Sequence, residues 1–211
     1  KRLEKSEALA ELDRYDQARA KTAADLNALY QKVASQVGQD EAAIFHAHES
    51  ILRDPAFTAK IRAWIVDELL SAQGALHRLL EEYTALFAST RDEYIKERLA
   101  DVRDVVIRLS GHLTDVLQPQ EGGLAGPLIL VASELLPSQV VTLGTREVAG
   151  IVTETGGRTS HAAILARSRG IPAVTGIKGI TKLVKTGDVL VVDGREGHVI
   201  VNPDPETASA Y

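Results

Sequence analysis

The amino-acid sequence predicts an α plus α/β protein, an antiparallel helical bundle over residues 1–118 joined to an α/β domain over residues 119–211. Three observations carry this. The first half holds a single proline, Pro55, and its apolar residues recur in steps of three and four, which places them on helical stripes. Gln118-Pro119-Gln120-Glu121-Gly122-Gly123 then forms a turn-rich linker. Beyond it, short apolar runs rich in β-branched residues alternate with helical segments, as strands and helices of a layered domain do.

In the first half, Leu26, Tyr30, Val33 and Val37 make one stripe, and Gly38 stands where that helix can end. Asp40 to Trp64 reads as a helix broken at Asp54-Pro55, because proline lacks a backbone donor and restricts the residue before it. Leu76, Leu79, Leu80, Tyr83 and Phe87 make another stripe. The last, Ile95, Leu99, Val102, Val106, Leu109, Leu113 and Val116, begins after Thr90 and Glu93, which have capping-box spacing. Helices joined by short turns pack antiparallel. In the second half the strand candidates are Pro127 to Ala132, Val148 to Thr153, Val189 to Asp193 and His198 to Val201. Ser160 to Arg169 reads as a helix, and Asp193-Gly194-Arg195-Glu196-Gly197 as the loop of a hairpin.

Composition bounds the function. A hydrophobic share of 45% suits a globular protein, and no apolar run reaches the length a membrane helix needs. The absence of cysteine rules out disulfides and thiolate metal sites. A formal charge of -5 argues against a nucleic-acid binder and fits a basic protein partner. There is no methionine, even at position 1, so the chain reads as a piece of a longer protein.

Chemistry concentrates in Thr155-Gly156-Gly157-Arg158-Thr159-Ser160-His161-Ala162-Ala163-Ile164-Leu165-Ala166-Arg167, where a strand runs through two glycines into a helix. Glycines permit a tight turn and close approach of a ligand to the backbone. The first N–H groups of a helix point outward without internal partners and, with the helix dipole, make an anion site. Thr159 and Ser160 can cap the helix and add hydroxyl donors. His161 falls in the first turn, where the positive helix end favours a neutral ring with a lone pair for attack and stabilises an anionic group once the ring carries one. Phosphoryl transfer needs this positioning and charge stabilisation, and Arg158 and Arg167 are candidate cations. By its residues alone, the segment also reads as a helix cap with a satisfied polar histidine. A P-loop is excluded because no Gly-Lys-Ser/Thr follows the glycines. Ser160 and His161 are neighbours on a helix and point apart. His46 and His48 likewise diverge and make a poor metal pair.

Gly156 to Arg167, as it stands here, resembles the phosphohistidine signature of phosphoenolpyruvate-utilising enzymes, and Gly170-Ile171-Pro172-Ala173-Val174 is similar to its continuation. Pyruvate phosphate dikinase and phosphoenolpyruvate synthase share this motif. The helical half points to another branch: Asp92 to Asp104 resembles a helix of the Enzyme I branch of the bacterial sugar phosphotransferase system. Glu41 to His48 and Leu52-Arg53-Asp54-Pro55 are similar to its partner-binding hairpin.

The resemblance implies a swivelling phosphohistidine domain and a helical domain that docks the phosphocarrier protein HPr. It implies a cytoplasmic phosphoenolpyruvate-protein phosphotransferase, with phosphate passing from phosphoenolpyruvate through His161 to a histidine of HPr. His161 is then the nucleophile, with Thr159 and Arg167 at the reaction and Gly156, Gly157, Arg158 and Ser160 around the phosphate. The HPr surface is expected to include His48, Ile51, Asp54, Phe57 and Arg98, with Asp40 and Glu41 adding acidity. Tyr94, Lys96, Glu97 and Asp101 are expected on a solvated face. By the resemblance, the chain is expected to lack the family's barrel, which holds phosphoenolpyruvate and Mg2+, and its first glycine-rich strand. The expectation is therefore a monomeric piece of a homodimeric parent, without a cofactor of its own, that exchanges phosphate with HPr only. One position departs from the family: Val140 stands where members commonly carry a threonine whose hydroxyl holds the active ring. Ser138, Thr142 and Thr159 are the candidates to replace it. A dikinase-class enzyme and a binding module without transfer activity are the alternative readings.

Overall fold

The computed structural model describes residues 3–87, 92–114, 127–143, 148–158 and 160–210, with the side chains of 93, 94 and 96 outside that set. The chain forms two compact units, Lys1–Gln120 and Glu121–Tyr211.

The first unit is all helical, with α1 (Ala8–Gln36), α2 (Gln39–Arg53), α3 (Pro55–Val66), α4 (Ala72–Phe87) and α5 (Glu93–Thr114). α1 packs against α2 and α5, and α4 against α3 and α5. The α1–α2 connection is only Val37-Gly38, so these two helices must run antiparallel. α1 extends well ahead of the predicted stripe, burying Leu12, Tyr15 and Ala18 as well as Leu26, Leu29 and Val33. Polar residues interleave with the earlier apolar ones, which hides the period there. Gly38 does not take the left-handed cap conformation; its φ of 165° is extended, and its N–H donates to the Val33 carbonyl.

The expected break at Asp54-Pro55 is present and has a clear physical cause. Asp54 is extended (φ -59°, ψ 124°), Pro55 opens α3, and the Asp54 carboxylate accepts the Phe57 N–H at 2.9 Å. Glu11 of α1 does the same for α4, accepting the Ala72 N–H at 2.7 Å. On α5 the buried residues are Val102, Val105, Val106, Leu109 and Leu113, while Ile95 and Leu99 are half-buried. Thr90 and Val116 lie outside the described residues. Asp25 joins α1 to α5 by accepting from His112 Nε2 (2.8 Å) and from Arg108 (3.2 Å).

The second unit contains a three-stranded parallel sheet in the order β1 (Leu128–Ala132), β2 (Val148–Thr153), β3 (Ala173–Thr175). α6 (Pro137–Thr142) lies between β1 and β2 in the chain, α7 (His161–Ser168) between β2 and β3. The two helices pack together and bury Val140, Val141, Ala162, Leu165 and Ala166. After the short α8 (Ile180–Leu183), β4 (Leu190–Asp193) and β5 (His198–Val201) form an antiparallel hairpin, and α9 (Pro205–Ala210) follows. All four predicted strands form. β3 was not predicted, because three residues give no period to read, and α6, α8 and α9 are equally brief.

Candidate functional site

The loop that carries the glycines is fastened to the sheet before it turns. At the end of β2, Glu154 N–H donates to the Ala132 carbonyl, and Thr155 donates both its N–H and its hydroxyl to the Ser133 carbonyl at 2.9 Å. The buried Thr153 hydroxyl donates to the Thr155 carbonyl at 2.8 Å. The chain then needs a residue free to adopt a positive φ, and Gly156 supplies it at 108°. A Cβ at Gly156 would meet nothing closer than 3.9 Å, so the requirement comes from the backbone angle and not from crowding.

The turn delivers Ser160 as the N-cap of α7. Its φ and ψ are -62° and 148°, and its hydroxyl accepts the Ala163 N–H at 3.3 Å. His161 is the first residue of the helix, half-buried, and its ring has no hydrogen-bond partner among the described residues. With the Ala163 N–H taken by Ser160, helix geometry leaves the N–H groups of His161 and Ala162 without an intrahelical acceptor. These free N–H groups and the helix dipole make the start of α7, where His161 stands, electropositive.

The question of whether Arg167 could reach this end is answered by a hydrogen bond. Its guanidinium donates to the Arg158 carbonyl at 3.2 Å, so the side chain folds back along α7 to the loop before His161. Arg158, Gly156 and Gly157 are exposed. The structure thus gathers Gly156, Gly157, Arg158, Ser160, His161 and Arg167 at one helix end. Thr159 lies outside the described residues. Among the described residues there is no group of three or more side chains able to hold a metal ion, and no helix is long and apolar enough to cross a membrane.

Val140 is fully buried on α6, and its carbonyl accepts from Arg169 at 2.8 Å, tying α6 to the end of α7. Arg169 carries no local signal that singles it out, since its role depends on this tertiary contact. Thr142 is exposed, and its hydroxyl donates to the Gln139 and Ser138 carbonyls of its own helix. Ser138 is buried on the same helix.

In the helical unit the expected partner residues divide. Asp54 and Arg98 are exposed and Ile51 is half-buried. His48 and Phe57 are corrected: His48 is fully buried and Phe57 is 4% exposed, so neither presents a side chain to a partner. The reason is that the α2 stripe Ile44, Phe45, His48, Leu52 faces the bundle, and Phe57 packs beneath the Asp54 cap. Asp101 is corrected in the same sense, being buried beside His48.

Comparison with known proteins gives this arrangement a family. Residues 1–98 match the model of the PEP-utilising enzyme N-terminal domain, and residues 124–197 that of the PEP-utilising enzyme mobile domain. The chain belongs to the PEP-utilising enzymes. Within them it matches the amino-terminal part of Enzyme I. A solved structure titled as an NMR solution structure of Enzyme I (nEIt) is 36% identical, with a TM-score of 0.70, over 100% of this chain and 85% of that one. The N-terminal domain of Enzyme 1 - Nitrogen is 30% identical with a TM-score of 0.62, over 97% of this chain and 83% of its own. The phosphoenolpyruvate-protein phosphotransferases of Bacillus sp. (strain S) and Bacillus subtilis (strain 168) are 40% and 39% identical over 96% and 98% of this chain. The chain spans 35% and 36% of the length of those two relatives.

Proposed function

We propose that this chain exchanges a phosphoryl group between His161 and the histidine of the phosphocarrier protein HPr. The observation that carries the reading is the placement of His161 as the first residue of α7, with Ser160 capping the helix and Arg167 folded back onto the Arg158 carbonyl. In the exchange from phosphorylated HPr, an unprotonated ring nitrogen of His161 attacks phosphorus. A new N–P bond forms, the donor's N–P bond breaks, and its electron pair stays on the donor imidazole. The two rings are chemically alike, so the step is near balance and runs either way. What the protein supplies is alignment and a fixed positive field at the place where the phosphoryl oxygens arrive.

In the whole protein the phosphate comes from phosphoenolpyruvate, which a further domain would hold with Mg2+, and the cytoplasmic sugar phosphotransferase system is the setting. Docking of HPr uses the exposed Asp54 and Arg98 and the half-buried Ile51. An acidic first turn of α2, from Asp40 and Glu41, complements a basic partner.

The test is incubation of the chain with phosphorylated HPr, followed by intact-mass and peptide mass spectrometry. One phosphate is expected on His161, labile in acid and stable in alkali. A folded His161→Ala chain that still gains phosphate refutes the assignment. A specific observation favours a second reading: Val140 offers no hydroxyl and Thr142 is engaged elsewhere, which fits a module that binds HPr without transfer. Binding by calorimetry with no exchange would select it.

A further inference from the structure

Several arginines described in this chain sit beside a carboxylate. Arg14, Arg19, Arg53, Arg62, Arg78 and Arg108 each have one at 2.5 to 3.9 Å. Arg158, Arg167 and Arg195 pair with no carboxylate among the described residues, and all three line one open groove of about 1030 Å³ beside α7. In a chain of net charge -5, carboxylates are in excess. Three guanidinium groups without a carboxylate at ion-pair distance gather on this one groove, with Asp193 near enough to Arg195 to interact with its charge.

The groove is built by a close contact. A Cβ on Gly194 would lie 3.2 Å from the Ala173 nitrogen and 3.3 Å from Pro172 Cα, so the tip of the β4–β5 hairpin rests directly on the start of β3. That contact brings Arg195 to the groove that Arg158 and Arg167 line from the α7 side. Two carboxylates also line it, Asp193 and Glu196. Asp193 is engaged by its own loop: one oxygen accepts the N–H groups of Glu196 (3.1 Å) and Arg195 (2.9 Å), which hold its carboxyl below the usual range. The charged side chains thus leave the groove net positive. Between them Ile171, Pro172 and Val192 add an apolar strip.

The geometry points to Arg195 as a third anion-binding residue, joining Arg158 and Arg167 in a site for a phosphate monoester dianion. The apolar strip suits an ester with an organic part better than bare phosphate. The inference rests on the phosphohistidine reading only for the biological origin of that phosphate. Binding of the anion itself needs no transfer.

The experiment is an NMR titration of the whole chain with phenyl phosphate and, separately, inorganic phosphate. The expected result is perturbation of Arg158, Arg167 and Arg195 signals, tighter binding of phenyl phosphate, and affinity about tenfold weaker in Arg195→Gln, as loss of a charge-assisted contact implies. Arg195 is exposed, so the substitution leaves the fold intact, which the unchanged remainder of the spectrum verifies. Equal affinity in Arg195→Gln overturns the groove assignment. Exchange with phosphorylated HPr distinguishes the source. Slower exchange in Arg195→Gln assigns the groove to phosphate borne by a protein, and unaltered exchange with weakened phenyl phosphate binding assigns it to a free monoester. If His161→Ala took up phosphate from HPr, the transfer reading would fail while the affinity of the groove stood unchanged.

Discussion

His48 Nε2 lies 3.2 Å from Asp101 Oδ1, and Asp104 Oδ2 stands 3.9 Å from the other ring nitrogen, with all three side chains removed from solvent. This cluster joins α2 to α5 inside the bundle, where a polar group is tolerable only with partners. It places a histidine that the family resemblance put on the docking surface into the structural core instead.

The first prediction follows from that burial. His48→Ala leaves two buried carboxylates facing a cavity, and breaking a buried charged or polar pair in this way costs about 3–5 kcal/mol. His48→Gln keeps a hydrogen-bonding group near Asp101 and should lose less. Urea unfolding followed by circular dichroism gives both values. A loss under about 1 kcal/mol for the alanine variant would show that the pair contributes little to the fold.

Asp54 combines a structural and a surface role, and two substitutions separate them. Asp54→Ala removes the side chain that accepts the Phe57 N–H at 2.9 Å and should cost about 1 kcal/mol, the usual worth of a helix N-cap. Asp54→Asn retains a capping oxygen and should change stability by only a few tenths of a kcal/mol. The asparagine variant loses the charge, so under the proposed docking it binds HPr more weakly at unchanged stability. Calorimetric binding beside thermal melts checks this, and equal HPr affinity in both proteins would remove Asp54 from the docking surface.

Tyr15 sets an alkaline limit. Its ring is fully buried on α1, with the Thr58 side chain beside its hydroxyl. Burial disfavours the phenolate and pushes the pKa from 10.0 to about 12. The folded value lies above the unfolded one, so the stabilisation is complete below pH 10 and is lost as pH rises through about 12. Tyrosinate absorbance should show one late-ionising tyrosine whose titration coincides with unfolding. Tyr15→Phe removes this linkage and should hold its structure to higher pH, with neutral-pH stability changed by no more than about 1 kcal/mol, the net worth of one weak hydrogen bond. Unfolding of both proteins at the same alkaline midpoint would contradict the assignment.

Much of the fold was legible because its signals are local. Helical stripes in Leu76 to Phe87 and Ile95 to Leu113 report a period that needs no knowledge of the partner helix. Pro55 breaks the α2–α3 path by its own covalent geometry, and the short apolar, β-branched run of Val148 to Thr153 announces a strand. The site was legible for the same reason. A glycine pair ahead of a capped helix puts His161 at that helix end, whatever the rest of the chain does. Short elements were not legible: Ala173 to Thr175 becomes a strand only because β2 offers it a parallel edge.

The sequence alone determined the two grammars of the chain, the helix break at Asp54-Pro55, and a histidine at the start of α7 after a glycine-rich turn. These follow from backbone angles and side-chain periods set within a few residues. Tertiary structure alone decided that His48 and Phe57 are core and not surface, that Arg167 folds back to the loop before His161, and that Gly194 seats Arg195 on the groove beside α7. Each of these depends on which face of one element meets another. Local spacing cannot encode that, because the same stripe of residues serves equally as a surface or as a core until its neighbour is in place.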